Sequence, residues 1–135
     1  MKSPKLTKYG DLELTVKFPV FSNYKMFVVF SADLCASRLN RYGDAGAGGE
    51  LETAAFVSIC SEGCHIFLKP SAGGGLIAHE SFHAIRAMFL WAGVEDFDNE
   101  IVAYHLGYLV DKIVKFQLTN RFVSALKILN KKRKA

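Results

Sequence analysis

The feature that most constrains the fold is an apolar segment at residues 76–92 that has glycines on both sides. Gly73, Gly74 and Gly75 precede it and Gly93 follows it, and glycine is common just beyond the end of a helix. The segment is too long for a strand, and the most apolar run, from Ala84 to Val94, is interrupted by Arg86 and far short of a membrane span. It therefore predicts a largely buried helix, in which every polar side chain needs a physical reason.

Three polar residues of this helix, His79, Glu80 and His83, form the pattern H-E-x-x-H. Residues four apart lie on one helical face, so both imidazoles can bind one metal ion. Glu80 lies beside that face, where it can take the proton of a zinc-activated water that attacks a carbonyl. A chance match in a chain of this length is on the order of one in several hundred. We therefore predict a zinc-dependent hydrolase; the alternative is an exposed polar stripe on an apolar helix.

The first half of the chain is predicted to contain strands and one short helix. Residues 12–17 alternate apolar and polar side chains, and the aromatic and β-branched residues 24–31 predict a buried strand. Ser31 or Asp33 can cap a short helix that ends near Tyr42. The following glycine-rich loop lacks the Gly-Lys-Ser/Thr ending of a phosphate-binding loop, which argues against a nucleotide site.

The second half predicts a β-hairpin followed by two helices. The hairpin comprises residues 52–60 and 64–69, and the H-E-x-x-H helix follows it. Asp98 is well placed to cap a long final helix that reaches toward Leu129, with a break near Thr119. This order predicts an α+β fold with a small mixed or antiparallel sheet, a short helix, the H-E-x-x-H helix and a long C-terminal helix.

A zinc hydrolase needs a third protein ligand, for which we favour Glu100 in the first turn of the final helix. There the helix dipole favours its negative charge. Asp96 and Asp98 in the preceding loop are alternatives, as is Cys64 in Glu-Gly-Cys. Tyr104 lies one turn after Glu100, where it can donate to an oxyanion or orient a ligand; an aromatic core residue is the alternative. His105 lies about 140° round the helix from Glu100, so the two do not easily share one ion.

H-E-x-x-H followed by Asn-Glu on the next helix resembles the gluzincin metallopeptidases. The run HESFHAIRAMFLWAG…DNEIVAYHLGYL also resembles small phage-encoded proteins of the metallopeptidase type. The resemblance implies one zincin-like domain over residues 1–135, a zinc ion held by His79, His83 and Glu100, and Glu80 as general base. It also implies that strand 64–69 is an edge strand to which an extended peptide substrate adds. The gap of 16 residues between His83 and Glu100 is slightly shorter than in well-known gluzincins, and Tyr104 stands where they carry an Asp.

Composition and charge indicate the cellular compartment, the expected partner and the competing function. The N-terminus shows no apolar signal segment and the three cysteines are an odd number, so we expect a soluble protein with reduced thiols in a cytoplasm, the host's if the chain is phage-encoded. The expected partner is a peptide or protein substrate rather than a membrane. Five of the last nine residues are basic and account for much of the net charge of +4, which favours a solvated helix end over nucleic-acid binding. The competing hypothesis is a catalytically inactive zincin-fold structural or interaction protein, such as a phage component.

Overall fold

The computed structural model describes residues 5–7, 11–31, 34, 55–60, 62–94, 98–119 and 127. Within them the chain forms one five-stranded sheet and two helices, an α+β arrangement as predicted. The strands are β1 (Lys5–Leu6), β2 (Leu12–Val16), β3 (Lys25–Phe30), β4 (Ala55–Cys60) and β5 (Gly63–Leu68), and the helices are α1 (Gly74–Trp91) and α2 (Asn99–Gln117). The predicted helix near Tyr42 and the loop after it lie outside the described residues.

The sheet is mixed, with strand order β1-β2-β3-β5-β4. β2 pairs antiparallel with β1 and β3, and β4 pairs antiparallel with β5, which confirms the hairpin. β3 and β5 are parallel neighbours that pair from Lys25 opposite Gly63 to Phe30 opposite Leu68. The strands predicted at 12–17 and 24–31 are confirmed, whereas the two-residue strand β1 was not predicted because two residues carry no recognisable alternation.

The prediction that the strand at 64–69 is an edge strand is wrong. β5 lies between β3 and β4, so both of its sides are paired and no peptide can add to it. In the sheet that the described residues form, β4 is the edge strand beside β5. The reason is that β3 pairs in parallel with β5, although more than 30 residues separate the two strands in the sequence. Local alternation of apolar and polar residues carries no information about such a pairing.

Helix α1 matches its predicted extent and its predicted end. It terminates at Trp91, and Gly93 follows with φ of +79°, the left-handed conformation that glycine adopts without a Cβ penalty. Its buried face includes Ile77, Ala84 and Ile85. This face packs against β4 and β5, so the sheet fixes how the helix is rotated about its axis.

Helix α2 begins after Asp98 and ends at Gln117, beside the break predicted near Thr119. The predicted continuation toward Leu129 lies largely outside the described residues. The helix packs on α1 and on β2 through a stripe of buried side chains spaced three or four residues apart, which are His105, Leu109, Ile113 and Phe116. This stripe determines which residues of the helix face the solvent, and Glu100 and Tyr104 are among them.

Removing the N-cap of α2 is expected to lower stability by a modest and measurable amount. Oδ1 of Asp98 accepts hydrogen bonds from the backbone N–H of Glu100 at 2.8 Å and of Ile101 at 3.4 Å. Asp98→Ala should therefore lower the free energy of unfolding by about 1 kcal/mol in urea denaturation. Asp111→Ala, which removes only an exposed pair with Lys115, should cost less than about 0.5 kcal/mol. Equal losses in the two variants would contradict the capping role.

Candidate metal centre

His79 and His83 project from the exposed side of α1, one turn apart. Their Nε2 atoms are 3.3 Å apart, and their rings meet nearly edge to face with centroids separated by 4.9 Å. Two nitrogens that bind one tetrahedral zinc ion at about 2.0–2.1 Å are about 3.3 Å apart. The same distance suits a hydrogen bond between the two rings in the metal-free chain. The two predicted ligands are therefore brought together with the spacing that a shared zinc ion needs.

Glu80 lies one residue round the helix from His79 and is buried, with 7% of its surface exposed. Its neighbour Ser81 is buried as well, so this side of α1 faces the interior. Within the described part of the chain, we find no hydrogen bond or ion pair that holds the Glu80 carboxylate. Its oxygens are not among the fully buried side-chain atoms without a partner, so the carboxylate keeps some contact with solvent beside the two imidazoles.

Glu100 lies in the first turn of α2, exposed to solvent, as predicted from the sequence. The structure does not place it with the two histidines. Across residues 5–7, 11–31, 34, 55–60, 62–94, 98–119 and 127, no group of three His, Cys, Asp or Glu side chains is close enough to hold a metal ion. The structure therefore brings together the pair His79–His83, and Glu100 as the third ligand stays a prediction.

The three alternative third ligands lie in different environments. Asp98 uses Oδ1 to cap α2. Cys64 lies in β5 with 1% of its surface exposed, within the hydrophobic core. Asp96 lies outside the described residues. The capping and core positions give Asp98 and Cys64 local structural roles, so neither has gained support over Glu100.

Tyr104 is 70% exposed, which makes the alternative of an aromatic core residue wrong. Its ring packs edge-on against His105 at a centroid distance of 5.5 Å. His105 itself is buried, and its Nδ1 lies 2.8 Å from the carbonyl oxygen of Ile101 in the preceding turn. Its ring also contacts Phe21 and Phe89. His105 is therefore a packed core histidine, while a catalytic role for Tyr104 stays a prediction.

A pocket of about 180 Å³ lies between α1 and the first turn of α2, and its lining includes Phe82, the residue before His83. Its lining residues come from both helices and are mostly apolar: Phe82, Ile85, Arg86, Phe89, Asn99 and Val102. The sequence analysis did not identify Arg86 as functional. The sequence does single out Arg86 as a candidate functional residue, because it is the one Lys or Arg in the apolar segment and follows His83 by three residues.

Fold and site together define an α+β protein whose H-E-x-x-H helix packs on a mixed sheet with its two histidines facing solvent. No protein-family model, no curated protein and no solved structure matches the chain. Neither of the described helices has the length and apolar character to cross a membrane.

Proposed function

We propose that this protein is a zinc-dependent hydrolase of the metallopeptidase type. In this proposal His79 and His83 bind the zinc ion, Glu100 is the third ligand and Glu80 is the general base. The observation that carries it is the 3.3 Å separation of the two Nε2 atoms, next to a largely buried glutamate for whose carboxylate we find no partner among the described residues. This spacing suits a zinc ion shared by the two nitrogens, and Glu100 is proposed because a carboxylate is a common third ligand of catalytic zinc.

The exposure of both imidazoles supports a catalytic rather than a structural site. Structural zinc sites are closed by four protein ligands, whereas catalytic sites keep one position open for water or substrate. Here both histidines face solvent, and a peptide carbonyl can approach them without displacing core residues. This distinguishes the proposal from the competing one, in which a metal only joins two helices of an inactive zincin-like protein.

The choice of Glu100 rests on its donor type and on its neighbour in the chain. Asn99, the residue before Glu100, lines the same pocket as Phe82 and Arg86, which lie one residue before and three residues after His83 in the sequence. A carboxylate and two imidazoles are a donor set that catalytic zinc uses.

The chain's own groups divide the chemistry between them. A bound zinc ion would lower the pKa of a water molecule to about 7 and polarise a carbonyl oxygen. Glu80 accepts the proton that the attacking water loses, the water oxygen bonds to the carbonyl carbon, and the C–N bond breaks. Glu80 then returns the proton to the departing amine, so that one water is consumed for each bond cleaved. The exposed hydroxyl of Tyr104 is our candidate for stabilising the oxyanion.

The edge strand β4 is the candidate for holding an extended peptide. α1 packs against β4 and β5, so a chain that adds to the side of β4 with which no described strand pairs runs beside the H-E-x-x-H helix. Main-chain hydrogen bonds at a sheet edge bind a peptide with little dependence on its side chains. This proposal moves the substrate from β5, where the sheet leaves no room, to the next strand.

Zinc content measured by mass spectrometry tests the proposal directly. We expect about one zinc per chain in the wild type, and a loss of zinc binding in His83→Ala because His79 and Glu100 would then be the only two protein ligands. Glu100→Ala should weaken zinc binding as well, if Glu100 is the third ligand. His65→Gln is the matched control for the histidine, since His65 stacks on Phe27 in the sheet. Asp111→Asn is the control for the carboxylate.

The outcomes separate the parts of the proposal. A wild type that contains no zinc even after reconstitution would overturn the hydrolase. Zinc lost in His83→Ala but kept in Glu100→Ala would retain the histidine pair and remove Glu100. Equal loss in His65→Gln would show that zinc binds adventitiously to histidines.

A further inference from the structure

The pocket between the two helices has the size of a single side chain. Its volume of about 180 Å³ is well below the roughly 300–1,000 Å³ of pockets that hold whole drug-sized ligands. Phe82, Ile85, Phe89 and Val102 make most of its lining apolar, and Phe82, with 44% of its surface exposed, lies at the protein surface. Such a pocket favours one large apolar group that enters from outside.

Arg86 gives the pocket a positive charge. Its side chain is exposed and lines the pocket, and no described residue forms an ion pair with it. None of the six described lining residues is acidic. Arginine binds carboxylates through paired hydrogen bonds of fixed geometry. The pocket therefore combines an apolar cavity with a cation that suits a carboxylate.

The pocket is adjacent to the proposed zinc site. Arg86 lies three residues after His83, and side chains at that spacing have Cβ atoms about 5–6 Å apart. Phe82 precedes His83 directly, with ring centroids 6.3 Å apart. An extended residue spans about 3.3–3.6 Å, so a substrate residue seated in the pocket has its neighbouring peptide bond beside the histidines.

We propose that this pocket binds the apolar side chain of a peptide's C-terminal residue and that Arg86 pairs with the terminal carboxylate. A C-terminal residue carries both groups on the same Cα, which matches one cation beside one small apolar cavity. The cleaved bond is then the one that precedes this residue, and hydrolysis releases a single apolar amino acid. The location of that bond rests on the proposed function; the binding itself does not.

The test is a binding titration of the full-length chain in the presence of a chelator, so that neither zinc nor turnover is needed. The probes are N-acetyl-phenylalanine, its C-terminal amide and N-acetyl-glycine, and the readout is the shift of backbone amide NMR signals. We expect N-acetyl-phenylalanine to shift residues 82–89 and 99–102. The amide lacks the charge and the glycine probe lacks the side chain. The affinity of each should be lower than that of N-acetyl-phenylalanine by about tenfold or more.

Two variants complete the test. Arg86→Gln should lower the affinity for N-acetyl-phenylalanine to that of the amide and leave the amide's affinity unchanged. Lys112→Gln removes the same charge from an exposed position on α2 about 20 Å beyond Asn99 and should change neither. The inference would be overturned if the acid and the amide bind equally well, or if the signals that shift lie outside the pocket or no signal shifts. It would also be overturned if Arg86→Gln and Lys112→Gln lower the affinity equally. A chain that binds the acid as expected but contains no zinc would overturn only the proposed function.

Discussion

Replacing Glu80 with glutamine is expected to lower kcat by about 10²- to 10⁴-fold while the zinc content stays at the wild-type level. Glutamine has the same size and fits the same buried position, but it cannot accept the proton that water loses during attack. We find no ion pair or hydrogen bond of Glu80 with the described residues, so the change should not disturb its surroundings. The measurement is peptide hydrolysis followed by mass spectrometry, with zinc content determined on the same samples.

Glu62→Gln is the matched control for this experiment. It makes the same chemical change at an exposed residue, whose carboxylate forms a 3.2 Å ion pair with Lys25 at the surface. Its kcat should equal that of the wild type. Undiminished turnover in Glu80→Gln would contradict the role of Glu80 as general base. A wild type that binds one zinc yet cleaves no peptide, amide or cell-wall peptide would favour the competing hypothesis of a catalytically inactive zincin-like interaction protein.

The second large effect concerns stability, and Gly63→Ala is expected to lower the free energy of unfolding by about 3 kcal/mol or more. Gly63 begins β5 and lies opposite Lys25 of β3 in the parallel pair. A Cβ at this position would overlap the carbonyl oxygen of Lys25. Because the overlap is with backbone, no side-chain rotation can relieve it, and the two strands must move apart. The loss is measured by urea denaturation, with the wild type and variant compared at equal m-value.

Gly107→Ala is the control for the same chemical change. Gly107 lies inside α2, and a Cβ there would meet nothing within 4 Å. Since alanine favours helix over glycine, this variant should be more stable than the wild type by up to about 1 kcal/mol. Gly63→Ala and Gly107→Ala should thus change stability in opposite directions. A wild-type unfolding midpoint in Gly63→Ala would contradict the close approach of β3 and β5.

Sequence patterns were reliable wherever the information was local. The strands around residues 12–17 and 24–31 follow from alternation and β-branched residues, and the hairpin follows from two such runs with a short turn. Helix α1 ends where Gly93 permits the left-handed conformation, and α2 begins where Asp98 caps it. The spacing of His79 and His83 on one helical face required nothing beyond 3.6 residues per turn.

Tertiary packing determines which side of each helix is buried in the core and which side is exposed to solvent. Sequence spacing placed Glu100 and Tyr104 on one face of α2, and both are exposed because His105 and Leu109 on the other side pack into the core. The same packing brings Asn99 next to Arg86 and creates the pocket beside His83. Neither arrangement can be derived from periodicity, since it depends on how two helices are rotated against each other.

Local patterns predicted strands β2 to β5, both described helices and the paired imidazoles of the H-E-x-x-H helix, because hydrogen bonds within a helix and turn chemistry act over three or four residues. Long-range packing makes β5 an inner strand, leaves β4 at the edge of the sheet that the described residues form and brings Arg86 to an apolar pocket at the candidate site. Those features arise from contacts between residues far apart in the chain. Such contacts form where total burial of apolar surface is greatest, which is a property of the whole fold and not of any one segment.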